Sequence, residues 1–152
     1  MTSVFRPSAR ALITGGSSGI GLSVARLCLK NSMKVTIADF NQETLDLAKK
    51  SLEGDVTCVK ADVGDRAEWK KLKEKVGDVD FLMLNAGVGG AGEWGDGEYF
   101  DRVRYPFFTA SIRELGFEKC FFVVCYSLLF GHKLYWPADM RKTRFSTLIL
   151  MA

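Results

Sequence analysis

At 152 residues the chain has room for one ordinary domain, so a cofactor domain followed by a separate substrate domain is not expected. With 47% hydrophobic and 26% charged residues it can bury a real core and need not be disordered. A net charge of +3 is too mild to point to nucleic acid or an anionic membrane as a partner.

Taken in chain order, Arg10-Ala11-Leu12-Ile13-Thr14 is a short apolar run stopped by Gly15-Gly16, which reads as a buried strand. Gly19 to Asn31 predicts a helix with Ile20, Val24, Leu27 and Cys28 on its inner face. Lys34 to Asp39 is β-branched and apolar, a second strand. Asn41 is a helix cap ahead of Leu45, Leu47, Ala48 and Leu52, and Gly54 stops that helix. Val56 to Lys60 is a third strand. Asp65, with Glu68 three residues on, resembles a capping pair opening a helix through Trp69, Leu72 and Val76 to Gly77. Phe81 to Asn85 is a fourth strand. Apolar strands alternating with helices at this spacing demand a parallel sheet covered on both faces, an α/β doubly wound fold.

After Asn85 the pattern fails. Gly87 to Gly97 is a glycine-rich loop, and Pro106 interrupts whatever helix Glu98 starts. Phe121 to Val124 could be a strand, but nothing after it repeats in an ordered way. Composition changes too. Residues 1–102 carry 14 Lys/Arg against 15 Asp/Glu, whereas residues 103–152 carry 7 against 3. The two segments look like different kinds of sequence joined near residue 103.

Cys28, Cys58, Cys120 and Cys125 form no C-x-x-C pair and no zinc spacing, so no metal is expected. Met1 to Arg10 lacks the apolar core of a secretory signal. Cys120 to Phe130, the longest strongly apolar stretch, falls short of the ~20 residues that cross a bilayer. A reduced, soluble, cytoplasmic protein is the expectation.

The first strand runs into Thr14-Gly15-Gly16-Ser17-Ser18-Gly19-Ile20-Gly21. One glycine allows the sharp turn, another lets backbone approach a pyrophosphate, and the last lets the helix pack closely on the sheet. The helix N-terminus then offers N–H groups and a positive dipole end to phosphates. A plain structural glycine turn is the competing reading. A strand before and a helix after favour the phosphate one. Asp39 ends the second strand 18 residues after Gly21. There a carboxylate accepts ribose hydroxyls and repels a 2′-phosphate, unless it merely terminates the strand. No Arg or Lys stands at Ser17, Ser18, Phe40 or Asn41, so NAD is expected rather than NADP.

This combination resembles the short-chain dehydrogenase/reductase family over residues 8–102, and implies a Rossmann-type sheet of about four strands in the order 3-2-1-4. The resemblance assigns Gly15, Ser17, Ser18, Gly19, Ile20 and Gly21 to the cofactor, with Asp39 on the ribose. Asp62-Val63 looks like the family's adenine-contacting pair. Asn85-Ala86-Gly87 matches its N-A-G element, which braces the sheet and lines the cleft. Family members move a hydride between an alcohol or carbonyl compound and the nicotinamide. A Tyr acts as acid/base, a Lys four residues on lowers its pKa, and a Ser and an Asn assist.

That catalytic half is not visible here. Tyr99, Tyr105, Tyr126 and Tyr135 are followed four residues on by Val103, Thr109, Phe130 and Asp139, and no Asn follows Asn85. Ser127 imitates the family's strand-to-serine step without a Tyr/Lys pair downstream. His132 and the basic run Arg141-Lys142-Thr143-Arg144 read as surface residues. The tail is rich in residues that thymine-rich codons specify, and Val103-Arg104 can be encoded in the form of an intron donor site. Residues 103–152 are therefore read as translated intron or a frameshifted exon, following a cofactor-binding half at 1–102. Phe81–Asn85 then becomes an apolar sheet edge unless Phe121–Val124 pairs with it.

The expected function is an NAD-dependent oxidoreductase of a small alcohol or carbonyl compound that is inactive as this chain. No catalytic residue is assigned, and neither nucleic acid, membrane nor a family-type oligomer is expected as a partner. The alternatives are a non-catalytic dinucleotide-binding or interaction protein and a non-functional truncated product.

Overall fold

The computed structural model describes residues 4–86, 121–126 and 147–151. Seven elements fill the first stretch: β1 (Arg10–Thr14), α1 (Gly19–Lys30), β2 (Lys34–Asp39), α2 (Gln42–Ser51), β3 (Val56–Lys60), α3 (Arg66–Val76) and β4 (Phe81–Leu84). Two more strands follow, β5 (Phe121–Tyr126) and β6 (Thr147–Met151). All nine strand and helix segments among the described residues join one sheet or pack on it.

The sheet runs β3-β2-β1-β4-β5-β6 with every pairing parallel. Its first four strands stand in the expected order 3-2-1-4. Two further pairings extend the sheet beyond these four strands. β4 pairs with β5 in the register Phe81↔Phe121 to Leu84↔Val124, so β4 is an inner strand. β6 then pairs with β5, from Phe122↔Thr147 to Tyr126↔Met151. Thr147 to Met151 is a bare apolar run with no turn signal beside it, which is why periodicity did not mark it.

Two apolar layers sandwich the sheet. Ala11, Ile13, Val35, Ile37, Phe81 and Met83 meet Ala25 and Cys28 of α1 and Leu45 and Ala48 of α2. The opposite layer joins Leu12, Ala38, Val59, Leu82 and Leu84 to Trp69 and Leu72 of α3. Neighbouring strand residues alternate between layers, so both faces need apolar side chains and the strands read as continuous apolar runs.

The helix faces differ from the expected ones. In α1 the buried residues are Gly21, Ala25 and Cys28, while Ile20 and Leu27 are 47% and 50% exposed. Small residues line the closest approach of α1 to the sheet, which turns the larger apolar ones outward. Leu47 of α2 is likewise exposed, with Leu45 and Ala48 buried. Asp65 caps α3 as expected, accepting from Ala67 N–H at 2.8 Å. The reciprocal half of the capping pair does not form. The Asp65 N–H goes to the Asp62 carbonyl at 3.0 Å, and Glu68 instead accepts from Lys71 at 2.6 Å.

Candidate functional site

Parallel strands bring all their C-terminal ends to one edge of the sheet. That edge collects Gly15 to Gly21 after β1, Asp39 at the end of β2, Asp62-Val63 after β3 and Asn85-Ala86 after β4. In doubly wound folds, ligands bind outside the carboxyl ends of the strands. Gly87 lies outside the described residues, as do Trp94, Tyr99, Tyr105, Ser127, His132, Tyr135 and the Arg141–Arg144 run.

The turn out of β1 is built around glycine. Gly15 has φ +61°, and a Cβ there would meet Ala86 Cα at 2.8 Å. A Cβ on Gly21 would run into the Gly15 carbonyl oxygen and come within 2.7 Å of Asn85 Nδ2. These two glycines therefore let α1 and the β4 end close on the turn. Gly19 differs. Its φ is +51°, yet a Cβ would meet nothing within 4 Å, so its surface faces open space.

Polar contacts lock this arrangement. Gly15 N–H donates to Ala38 C=O at 2.8 Å. Asn85 Nδ2 donates to Gly15 C=O at 3.0 Å. The Thr14 hydroxyl oxygen accepts from both Asn85 N–H and Ala86 N–H, each at 3.1 Å. Asn85 thus ties the end of β4 to the β1 turn. Thr14 was not singled out from the sequence; a threonine closing a strand before Gly-Gly is the only signal it offers.

Helix α1 begins without a side-chain cap. Ser18 is extended and exposed, makes no capping hydrogen bond, and no acidic residue stands in the first turn. The first-turn N–H groups are therefore available to an outside acceptor. Exposed Ile20 flanks them.

Across the turn lies the half-buried Asp39 carboxylate. Ser17, 7% exposed, donates its hydroxyl to Asp39 Oδ2 at 2.5 Å. Asn41 N–H approaches Asp39 Oδ1 at 3.3 Å. Ser17 Oγ also lies 2.9 Å from Thr44 Oγ1, and Thr44 Oγ1 lies 3.1 Å from the Asn41 carbonyl. Thr44 is a second residue that sequence spacing did not reveal. Further along, Asp62 is exposed and accepts from Gly64 N–H at 2.8 Å, while the Val63 carbonyl accepts from Trp69 Nε1 at 2.8 Å. Ala61 N–H donates to Asp39 C=O at 2.9 Å, holding the β3 exit beside the carboxylate.

Among the described residues, no group of three His, Cys, Asp or Glu could hold a metal ion. No helix among them is long and apolar enough to cross a membrane.

Comparison with known proteins gives a consistent result. The short chain dehydrogenase family matches residues 9–105. The chain is 37% identical over 78 residues to the 3-oxoacyl-(acyl-carrier-protein) reductase of Rickettsia prowazekii, covering 51% of this chain and 32% of that protein. It is 35% identical over 111 residues to the 3-ketodihydrosphingosine reductase of Bos taurus, covering 64% of this chain and 33% of that one. Among solved structures it resembles the 3-ketoacyl-(acyl-carrier-protein) reductase of Brucella melitensis complexed with NADH, at 26% identity and a TM-score of 0.67. That match covers 80% of this chain and 58% of the other. The aligned region amounts to about a third of the two curated relatives.

Proposed function

The chain belongs to the short chain dehydrogenase family, and from that premise we propose that it binds a nicotinamide dinucleotide at the β1–α1 turn, NAD in preference to NADP. The observation that carries this reading is the pairing of an uncapped helix start with a braced carboxylate across the same turn. The first-turn N–H groups of Gly19, Ile20 and Gly21 suit a pyrophosphate, and the open space over Gly19 allows its close approach. Ser18 stands at that helix start. Asp39, held by Ser17, accepts ribose hydroxyls and repels a 2′-phosphate. Asp62 and Val63 border the adenine end, and Asn85 and Ala86 line the cleft towards the nicotinamide.

When bound, the cofactor supplies a hydride donor or acceptor. Both curated relatives are named as reductases of keto compounds, which supports a carbonyl or alcohol substrate for the complete fold. None of the four tyrosines in this sequence has a Lys four residues on. We infer that the chain binds the dinucleotide without performing the proton transfer that hydride transfer needs. The composition break near residue 103 favours reading 103–152 as translated intron or frameshifted exon, whereas the pairing of Phe121–Tyr126 and Thr147–Met151 in the sheet speaks against it. A spliced transcript lacking those codons and reading on into a Tyr-x-x-x-Lys is expected; an uninterrupted one ending at codon 152 overturns that inference.

Fluorescence titration of the purified chain with NADH and NADPH tests the binding. NADH should bind at least about tenfold more tightly, the scale of a charged hydrogen bond. Asp39→Ala should narrow the gap. Equal affinities in the unmutated chain would overturn the NAD assignment, and no binding of either would overturn the dinucleotide reading. An alcohol panel with NAD should yield no NADH; turnover that survives purification and is lost in Gly19→Val would show that the tail supplies the missing chemistry.

A further inference from the structure

Resting on that reading, we propose that Thr44, in the first turn of α2, is a positioning residue that sets cofactor preference by fixing the Asp39 carboxylate through Ser17. Three segments converge here: Ser17 from the β1–α1 turn, Asp39 from β2 and Thr44 from α2. Proton accounting gives the contact a direction. An ionised carboxylate only accepts, so the single Ser17 hydroxyl proton goes to Asp39 Oδ2 at 2.5 Å. The 2.9 Å contact between Ser17 Oγ and Thr44 Oγ1 must then take its proton from Thr44. The Thr44 hydroxyl has one proton and two acceptors in reach, Ser17 Oγ at 2.9 Å and the Asn41 carbonyl at 3.1 Å, and the shorter contact to Ser17 takes it. Donation runs from Thr44 to Ser17 to Asp39.

This chain of bonds holds one carboxylate oxygen while Asn41 N–H approaches the other at 3.3 Å. A carboxylate offers about four acceptor positions. Two are thus occupied by the protein, and those left over are fixed in direction before any ligand arrives. Ribose hydroxyls gain from a carboxylate already aimed at them, because no ordering cost remains on binding. A 2′-phosphate loses for the same reason, since the negative charge cannot swing away. Removing the Thr44 hydroxyl frees Ser17 to leave Asp39, and the carboxylate then relaxes. Thr44 touches no part of the ligand in this scheme; it acts only through Ser17.

The substitution that isolates this role is Thr44→Val. It keeps the β-branched shape and the backbone N–H that Asn41 Oδ1 accepts at 3.3 Å, so the start of α2 is retained. Helix propensities of Thr and Val are close. Kd values for NADH and NADPH are measured on the full chain, unmutated and as Thr44→Val, Thr44→Ser and Ser17→Ala, with a thermal melt of each. The carboxylate carbon signal of Asp39 is followed by NMR without ligand.

Thr44→Val is expected to narrow the NADH:NADPH preference about 3–10-fold, the scale of one ordinary hydrogen bond. Thr44→Ser should restore it, and Ser17→Ala should narrow it as much from the other end of the relay. The Asp39 signal should move in Thr44→Val and return in Thr44→Ser. If Thr44→Val does not fold, Thr44→Ala decides by the same ratio. A preference for NADH in the unmutated chain that Thr44→Val leaves unchanged would overturn the role of Thr44 while the NAD reading stands. No preference in the unmutated chain would overturn that reading, and the relay's role in preference with it.

Discussion

Helix α1 starts differently from helices α2 and α3. Asn41 closes the start of α2 by accepting from Glu43 N–H at 2.9 Å and Thr44 N–H at 3.3 Å. Asp65 closes α3 through Ala67 N–H at 2.8 Å. At α1 the corresponding Ser18 makes no such bond, and Gly19 and Gly21 stand in the first turn in place of an acidic residue. All three helices follow a strand of the same sheet, yet two satisfy their first turn internally and one leaves it open. Caps serve stability. An open first turn costs some of that stability and gains a place for an anion. The difference separates the helices whose first turn is capped from the one whose first turn stays open to an outside acceptor.

The largest effect should come from filling the close contact that brings α1 to its place. Gly21→Ala sets a methyl against the Gly15 carbonyl and within 2.7 Å of Asn85 Nδ2. Neither can retreat easily, since Asn85 is tied to the Gly15 carbonyl and the Gly15 N–H to Ala38. Alanine is the better helix former by ~1 kcal/mol, so propensity alone predicts a gain. Overpacking should win, with a net loss of about 1–3 kcal/mol in urea unfolding and weaker NADH binding. Gly19→Ala offers a control, because the added Cβ meets open space and only its φ of +51° opposes the change. A Gly21→Ala chain as stable as the unmutated one would mean that α1 sits farther from the sheet than described.

The inner face of α1 makes a second test of its packing. Cys28 is fully buried, and burial raises its thiol from the ordinary 9.0 to about 11. Cys58 is also raised, chiefly by burial, with Lys49 opposing. The folded chain therefore holds the Cys28 proton over a range in which the unfolded chain releases it. Stability from this group is fully present below pH 9 and lost as pH rises from 9 to 11. A shift of that size corresponds to about 2–3 kcal/mol. Urea midpoints at pH 8.5 and 10.5 should fall further for the unmutated chain than for Cys28→Ala, which shares every other titrating group. Equal falls would mean that α1 opens enough to hydrate Cys28.

Much of this fold was legible because a parallel sheet covered on both faces writes itself as short apolar runs. Leu12 and Ile13 serve opposite layers, so no polar residue interrupts β1. Helix faces were harder to read. Hydropathy places Ile20, Leu27 and Leu47 inward, but contact distance decides, and Gly21 and Ala25 occupy the line nearest the sheet. β6 was not legible, since a bare run such as Thr147 to Met151 does not name its partner strand. In the site, glycine spacing and an acidic strand end drew the eye to Gly15–Gly21 and Asp39, because glycine at a strand-to-helix turn and a carboxylate closing an apolar run are both conspicuous residue types. Thr14 and Thr44 stayed hidden. A threonine is ordinary anywhere, and what makes these two matter is which N–H or hydroxyl faces them after folding.

The smallest effects return to the three helix starts. Asn41→Ala and Asp65→Ala should each lower stability by about 1 kcal/mol, because each leaves helical N–H groups without their side-chain acceptor. Asn41→Ala also removes the Oδ1 acceptor of Thr44 N–H, so its loss should be the larger of the two. Ser18→Ala breaks no capping bond and should cost only a few tenths of a kcal/mol by comparison, within the range of ordinary surface changes. Urea midpoints of the three variants, measured without nucleotide, give the comparison directly. Addition of saturating NADH then asks whether the open start is used. A ligand that satisfies the first turn of α1 should stabilise the unmutated and Ser18→Ala chains alike, by an amount set by its concentration relative to Kd. Ser18→Ala as costly as the other two would mean that serine caps α1 in solution, so that any phosphate must first displace it.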